Sequence, residues 1–204
     1  MSGARATLPL GSVLFPHMPL ALRLFEPRYL RMLGDLLEEA APEFGVVLIE
    51  RGHEVGGGDQ RFRTGTMARI RQVEAREGYV ALVAEGAGRF TVSQWLPDDP
   101  YPRAEVEDLP DLEWDEALRG LRQHAEHEVR RALVGAAEFG GAWPPDVALS
   151  DEPVAACWQL AAITPVGPLD QIALLQASTL EALLTATAEA ARQAQESIRL
   201  GWSG

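Results

Sequence analysis

The spacing of the apolar residues changes halfway along the chain, and this change constrains the fold more than any other feature. Leu20, Leu22 and Leu24 alternate with other residues, which is the period-two pattern of a half-buried β-strand. Apolar residues in the second half instead recur every three or four positions, beginning with Trp114 and Leu118. That spacing is typical of an amphipathic helix. The sequence therefore predicts a β-rich first part and a helical second part.

The β-rich part is predicted to be a subdomain of residues 1–111. One helix is predicted inside it at 27–40, because Pro27 suits the first helical position. Gly86-Ala87-Gly88 is predicted to be a turn between two strands. Apart from the Leu20–Leu24 strand, the predicted strands are 44–49, 66–75, 79–84, 89–95 and 103–107. Six or seven short strands favour a twisted sheet or pseudo-barrel.

The second subdomain, residues 112–204, is predicted to be an α-helical bundle. A first helix is expected over 113–135, and a second begins at Pro153. A short helix follows Pro168. Ser178, with Glu181 three positions later, has the spacing of a capping box and predicts a final helix to about Leu200. The fold class is therefore α+β.

The basic residues exclude several kinds of catalysis. All 18 of them are arginine, and the 204 residues contain no lysine. A Walker A phosphate loop, a Ser–Lys hydrolase and a Schiff-base enzyme all require a lysine amine. These residues alone can therefore carry out none of those reactions.

The charge balance argues against nucleic-acid partners. The formal net charge is −12, made up of −2 over residues 1–100 and −10 over 101–204. A strongly negative surface repels a phosphate backbone. The single cysteine, Cys157, fits a reducing cytoplasm, and no apolar run approaches the about 18 residues of a membrane span. We expect a cytoplasmic protein without a membrane or nucleic-acid partner.

Several short motifs occur in a recognisable order. Phe15-Pro16 and Met18-Pro19 precede Phe25-Glu-Pro-Arg-Tyr29. Phe44–Ile49, Gly88–Val92 and Pro165–Leu184 continue the match over nearly the whole chain. In this order the motifs resemble the N-terminal substrate-binding domain of Lon protease.

The resemblance implies a PUA-like β-domain joined to a helical bundle, and a role in binding unfolded or tagged polypeptides. The ATPase and protease of full-length Lon need lysines that are absent here, so catalysis is not carried over. We expect a non-catalytic binder of polypeptides, with no cofactor, that serves in protein quality control either as an adaptor for a separate ATP-dependent protease or as an independent binder. A small-molecule-binding or hydrolytic enzyme with an unidentified site is the alternative.

The family motif residues have local structural reasons to be present, so their predicted role is mainly structural. Proline and glutamate end a strand and begin a helix, while the aromatic side chains pack. These residues are Phe15, Pro16, Pro19, Phe25, Glu26, Pro27, Arg28 and Tyr29.

Three residues are candidates for peptide contacts. Arg69 and Arg71 alternate on a predicted strand and would face the same way, so they could hold a peptide carboxylate. A charged outer strand face is the favoured interpretation of this pair. Trp143, beside a proline-rich loop, suits an apolar patch.

Two other patterns have simpler interpretations than a ligand site. His124 and His127 lack the spacing of a zincin motif, so a polar helix face is preferred to a metal site. Gly56-Gly57-Gly58 is not followed by a predicted helix, so a hairpin loop is preferred to a phosphate site.

Overall fold

The computed structural model describes residues 2–49 and 61–201. The predicted Gly56-Gly57-Gly58 loop lies outside these ranges. The described residues of the first part of the chain contain one helix, α1 (Pro27–Leu37). Its strands are β1 (Ser2–Leu10), β2 (Pro19–Leu24), β3 (Glu43–Ile49), β4 (Arg61–Arg76), β5 (Tyr79–Leu96) and β6 (Arg103–Asp108).

The six strands form one sheet that closes on itself. Their order is β2-β5-β4-β3-β1-β6, and β6 pairs with β5 as well as with β1. Five strands thereby make a closed ring, while β2 pairs with the first part of β5 outside that ring. All pairings are antiparallel except that of β1 with β3. The sheet therefore combines a closed portion with a projecting portion that has an open edge.

A phenyl ring packed against two glycines fills the interior of the ring of strands. Phe90 is fully buried. A Cβ at Gly45 would lie 2.7 Å from its Cζ atom, and a Cβ at Gly65 would lie 2.6 Å from the same atom. Only glycine leaves room for the phenyl ring at these two positions, since interiors are packed without spare volume.

The Gly86-Ala87-Gly88 turn prediction is wrong, because β5 runs through these residues without a break. A Cβ at Gly86 would overlap the carbonyl oxygen of Phe15. Glycine at 86 thus allows the loop before β2 to approach the sheet, and the pairing register of β4 with β5 shifts nearby, between Thr66 and Ala68. A glycine within a strand has this use as readily as it makes a turn.

Strand β1 is absent from the strands predicted by sequence pattern. Its first residues pair with β6 and its last residues with β3, so distant parts of the chain stabilise it. The helix predicted at 27–40 ends at Leu37.

The second part of the chain is helical. A single 3-10 turn, Glu116–Leu118, precedes the first α-helix. The α-helices are α2 (Arg119–Ala137), α3 (Pro153–Ile163), α4 (Pro168–Leu175) and α5 (Leu180–Arg199).

Two of these helices begin at side-chain caps. Glu152 accepts hydrogen bonds from the backbone N–H groups of Val154 and Ala155 at the start of α3. Thr179 accepts from the N–H of Ala182 and is the cap of α5. The predicted capping box beginning at Ser178 is therefore one residue too early.

The chain folds into two compact units, Met1–Asp111 and Leu112–Gly204. We call them the β unit and the helical unit. The β unit carries 12 arginines and 17 acidic residues, and the helical unit carries 6 and 13. Their formal net charges are −5 and −7, so part of the negative charge of residues 101–204 belongs to the β unit.

Candidate peptide-binding surfaces

The Phe25–Tyr29 segment links β2 to α1. Glu26 is the extended residue before the helix, and Pro27 is its first residue. The Arg28 guanidinium lies 3.0 Å from a carboxylate oxygen of Glu26 and 4.6 Å from the ring centre of Tyr29. Tyr29 is buried, and burial raises the pKa of its phenol although the nearby Arg28 lowers it. The structure therefore places Glu26, Arg28 and Tyr29 in one local network.

The preceding motif residues form the loop that leads into β2. Phe15 and Pro16 are buried, and the carbonyl of Phe15 lies against Gly86. His17 adopts a left-handed backbone conformation with φ of 61° and donates its N–H to the Gly86 carbonyl. Pro19 is exposed and begins β2. This loop fixes where β2 starts.

Phe25 differs from the other aromatic residues of the motif because its side chain is 67% exposed. It occupies the position before the helix cap, and Leu30 occupies the fourth helical position. This is the spacing of a hydrophobic staple. Leu30, Gly34 and Leu37 follow one another on one exposed face of α1. We call Phe25, Leu30, Gly34 and Leu37 the α1 strip, an exposed apolar set whose first residue directly follows β2.

Strand β2 has a free edge. Among the described residues it pairs with β5 and with no other strand. Its side chains alternate, so that those of Pro19, Ala21 and Arg23 are exposed and that of Leu24 is buried. An unpaired strand edge presents main-chain donors and acceptors to any extended chain.

The hydrogen-bond ladder shows which main-chain groups face this edge. Gly86 donates its N–H to the carbonyl of Met18, and β2 pairs antiparallel with β5 in a continuous register. In such a ladder, residues that bond to the partner alternate with residues that do not. The N–H and C=O groups of Ala21 and Arg23 therefore point away from β5. With the carbonyl of Pro19 they make up what we call the β2 edge.

One arginine of the predicted pair already has an acidic partner within the sheet. Arg71 makes two hydrogen bonds to one carboxylate oxygen of Glu85, at 2.9 and 2.7 Å. A register shift falls between Ile70 and Gln72, so the regular alternation from Arg69 to Arg71 is interrupted. Both arginines are outside the core. The structure thus gives Arg71 a cross-strand acidic partner of its own.

Trp143 is half-buried in the loop between α2 and α3. The nearby residues Gly140 and Gly141 line a cavity of about 630 Å³ in the helical unit, but Trp143 itself is not among its described lining residues. We call it the helical cavity. Its described lining residues are Ala136, Phe139, Gly140, Gly141, Pro165, Val166, Gly167, Asp170, Ala190, Gln193, Ala194, Ser197, Ile198 and Gly201.

Two kinds of reactive group can be examined in the described residues, namely the cysteine and clusters of metal-ligating side chains. Cys157 is fully buried, and burial raises the pKa of its thiol to about 11, so it carries almost no thiolate at neutral pH. No group of three or more metal-ligating side chains occurs in residues 2–49 and 61–201. In the same ranges no helix is long and apolar enough to cross a membrane.

Local sequence patterns do not reveal these surfaces. The motif around Phe25 is evident in the sequence, but the exposure of its first aromatic ring depends on which elements cover it. The free edge of β2 follows from the strand order, for which local spacing gives no signal. The helical cavity joins residues from three separated parts of the chain, and no motif marks it.

Comparison with known proteins connects this fold to one family. The family model described as the ATP-dependent protease La (LON) substrate-binding domain matches residues 5–191. The chain is 28% identical over 93 residues to Lon protease 2 of Hydrogenovibrio crunogenus, which is 45% of this chain and 11% of that protein. It is 31% identical over 125 residues to Lon protease 2 of Sorangium cellulosum, covering 57% and 15% respectively. The chain thus spans a small part of these relatives.

Solved structures show the same fold. The Lon N-terminal domain protein from Xanthomonas campestris superposes with a TM-score of 0.62 at 23% identity, covering 99% of both chains. The N-terminal domain of the Mycobacterium avium complex Lon protease has a TM-score of 0.66 at 13% identity, covering 93% of this chain and 98% of that one. These similarities confirm a mixed α/β fold with a twisted sheet. The PUA-like label and the bundle description of the second part remain predictions.

Proposed function

Because this chain belongs to the ATP-dependent protease La (LON) substrate-binding domain family, we propose that it binds unfolded or tagged polypeptides without catalysing a reaction on them. The observation that carries the proposal is the β2 edge, which lies beside the exposed Phe25. An unfolded chain always offers main-chain N–H and C=O groups, whatever its sequence. A free strand edge is therefore a suitable surface for a receptor of many different substrates.

The proposed mode is strand addition at β2. An extended segment would form hydrogen bonds with the outward N–H and C=O groups of Ala21 and Arg23, extending the sheet by one strand. Since Pro19 has no N–H, the new strand would receive only an acceptor at that end. These few bonds give modest affinity, which suits a receptor that must release its substrates.

The α1 strip would supply apolar contacts next to those main-chain bonds. Phe25 is 67% exposed, and Leu37 is 49% exposed. Unfolded polypeptides expose apolar side chains that folded proteins bury, and contact with them removes apolar surface from water. The strip thereby favours unfolded over folded partners.

The remaining parts of the proposal concern the setting of this binding. We propose that the chain acts in the cytoplasm as an adaptor that delivers polypeptides to a separate ATP-dependent protease. Its residues contain no lysine for an ATPase or a Ser–Lys dyad. We also propose that the β unit is a PUA-like subdomain of residues 1–111, and that residues 112–204 form a helical-bundle subdomain.

A substitution within the β2 edge tests the proposed binding. Ala21→Pro removes an N–H group that points away from β5, so the hydrogen bonds between β2 and β5 are all retained. We expect this variant to bind reduced, carboxymethylated α-lactalbumin, an unfolded model protein, about tenfold more weakly than the original chain, since a lost hydrogen bond and a local clash act together. Fluorescence anisotropy with the labelled model protein measures the affinity.

Ala21→Val is the matched control, because it keeps the N–H and adds a side chain that favours strands. Phe25→Ala tests the α1 strip independently and should weaken binding by about threefold to tenfold. If the Pro and Val variants bind the model protein equally well, strand addition at β2 is wrong.

A further inference from the structure

We infer that the helical cavity is a second binding site, for short peptide segments that combine apolar side chains with one basic side chain. The inference goes beyond the function proposed above, because it uses no residue of the β unit. The cavity volume of about 630 Å³ falls within the about 300–1,000 Å³ of typical ligand sites. It can therefore hold several side chains of a peptide.

The walls of the cavity are mainly apolar. The C-terminal half of α5 contributes Ala194 and Ile198, and the segment between α3 and α4 contributes Pro165 and Val166. Phe139, from the loop after α2, also lines the cavity although its side chain is 67% exposed. Such an exposed aromatic ring at an apolar depression is typical of a surface that binds a partner.

Two exposed leucines adjoin lining residues of the cavity in sequence. Leu169, next to the lining residue Asp170, is 66% exposed, and Leu200, next to the lining residue Gly201, is 79% exposed. An occupant confined to the cavity would leave both leucines in water. A peptide segment can fill the cavity and also cover them, so a peptide fits this surface better than a small molecule does.

The charges around the cavity select a basic segment. Asp170 is the one charged side chain among the described lining residues. It is exposed, and it belongs to a unit whose formal net charge is −7. A peptide arginine or lysine at Asp170 would gain a charge-assisted hydrogen bond, whereas a peptide carboxylate would be repelled.

The neighbouring charges have the same sign on balance. Directly beside lining residues in sequence lie three glutamates, Glu138, Glu189 and Glu196. Two arginines also adjoin lining residues in sequence. Arg192 forms an ion pair with Glu189, and Arg199 follows Ile198. The carboxylates therefore outnumber the guanidiniums even before Asp170 is counted.

This cavity extends beyond the part of the chain that matches the family. The family model ends at residue 191, while Gln193, Ala194, Ser197, Ile198 and Gly201 of the lining come after it. Part of the lining therefore lies outside the family match, whereas Asp170, which gives the inferred charge preference, lies within it.

A panel of three peptides tests the inference on the whole chain. The probes are short fluorescein-labelled peptides of Leu, Val and Phe with one central Arg, Gln or Glu, and anisotropy gives their affinities. We expect the Arg peptide to bind most tightly and the Glu peptide most weakly. Asp170→Asn should weaken the affinity for the Arg peptide by about threefold to fivefold and leave the affinity for the Gln peptide unchanged. Asp170→Arg should reverse the preference, so that the Glu peptide binds most tightly.

Two further variants separate this site from the β2 edge. Ala194→Trp fills the cavity and should weaken the affinity for the Arg peptide by at least about tenfold. Thr185→Trp, at an exposed position of α5 outside the lining, should leave this affinity unchanged. Ala21→Pro in the β unit should leave the preference for the Arg peptide over the Glu peptide unchanged. An unaltered preference in Asp170→Arg, or loss of the preference in Ala21→Pro, would overturn the inference. Asp146→Asn controls for removal of a carboxylate elsewhere in the helical unit.

Discussion

The two units of this chain offer binding surfaces of opposite character. The β unit presents main-chain groups at an open strand edge, and the groups that such an edge pairs with are the same in every polypeptide. The helical unit presents a cavity lined by side chains, one of them a carboxylate, and we infer that this cavity discriminates between partners. Under the two proposals, one small receptor combines sequence-independent capture with a preference for certain segments.

The units also differ in what makes them stable. In the β unit, a buried phenyl ring rests on two glycines, and the strands that hold it are far apart in sequence. In the helical unit, leucine and alanine side chains are buried among helices that begin at local caps, such as Glu152. The first arrangement tolerates no added atom at its centre, whereas the second depends on the volume of its apolar side chains.

The largest effect is expected from Gly65→Val. The new side chain would overlap the carbonyl of Val46 and the ring of Phe90, so the free energy of unfolding should fall by about 3 kcal/mol or more. Chemical denaturation followed by circular dichroism measures this loss. Gly88→Val is the control, because this position is in the same sheet but has open space around the added Cβ. It should lower the free energy of unfolding only slightly.

The Gly65→Val variant also tests whether the two predicted subdomains fold independently. If residues 112–204 fold by themselves, the helical signal should survive when the β unit of Gly65→Val unfolds. Loss of both signals in one transition would contradict two separate subdomains.

The next effect is expected from Leu183→Ala in α5. Leu183 is fully buried, and truncating a leucine at such a position costs about 2–5 kcal/mol. The helical signal should melt at lower denaturant while the tertiary signals of the β unit remain. Val134→Ala, at a position 56% exposed, should change the denaturation midpoint little. Equal losses of unfolding free energy in both variants would show that packing of the Leu183 side chain contributes nothing to stability.

A smaller effect concerns the pH dependence of the helical unit. The pKa of Cys157 is raised by burial from an ordinary value of 9.0 to about 11, so the folded state retains the thiol proton to higher pH than the unfolded state. This contribution to stability is fully present below about pH 9 and is lost as the pH rises through about 11. Chemical denaturation should show that the free energy of unfolding of the original chain decreases from about pH 8 to about pH 10.5, whereas that of Cys157→Ala does not. A decrease of equal size in Cys157→Ala would assign the effect to other titratable groups.

The smallest effect is expected from Arg71→Ala. The Arg71 and Glu85 side chains are 52% and 41% exposed, and exposed ion pairs contribute about 0.5 kcal/mol or less. Because Arg71 is already paired, its loss should not change the affinity for an acidic peptide. A clear decrease in that affinity would support the prediction that Arg69 and Arg71 hold a peptide carboxylate.

The contrast between the units also explains which features could be predicted from sequence. Helix α2 is marked by local periodicity, and α3 and α5 are marked also by side-chain caps, so the positions of all three are close to the predicted ones. Strand β1 is defined by pairing with strands far along the chain, such as Ser2 with Glu107, and no local pattern carries that information. Gly86 resembles a turn residue in sequence, but it is needed where the backbone of Phe15 approaches the sheet.

The candidate surfaces are harder to predict than the fold. The segment ending at Tyr29 is recognisable in the sequence, and its arginine and tyrosine lie in the local network described above. The exposure of Phe25 and the free edge of β2 depend on the strand order, which the spacing of residues does not determine. The helical cavity is lined by parts of helices and by the loops between them, so only the three-dimensional structure reveals it.

Amide hydrogen exchange in β2, with and without a saturating unfolded polypeptide, tests strand addition most directly. With reduced, carboxymethylated α-lactalbumin bound, we predict that the outward amides of Ala21 and Arg23 exchange more slowly, because each acquires a hydrogen bond to the added strand. The amides of β1, a strand that already pairs with β3 and β6, should be unchanged. Unaltered exchange at Ala21 and Arg23 while the polypeptide is bound would contradict strand addition at the β2 edge.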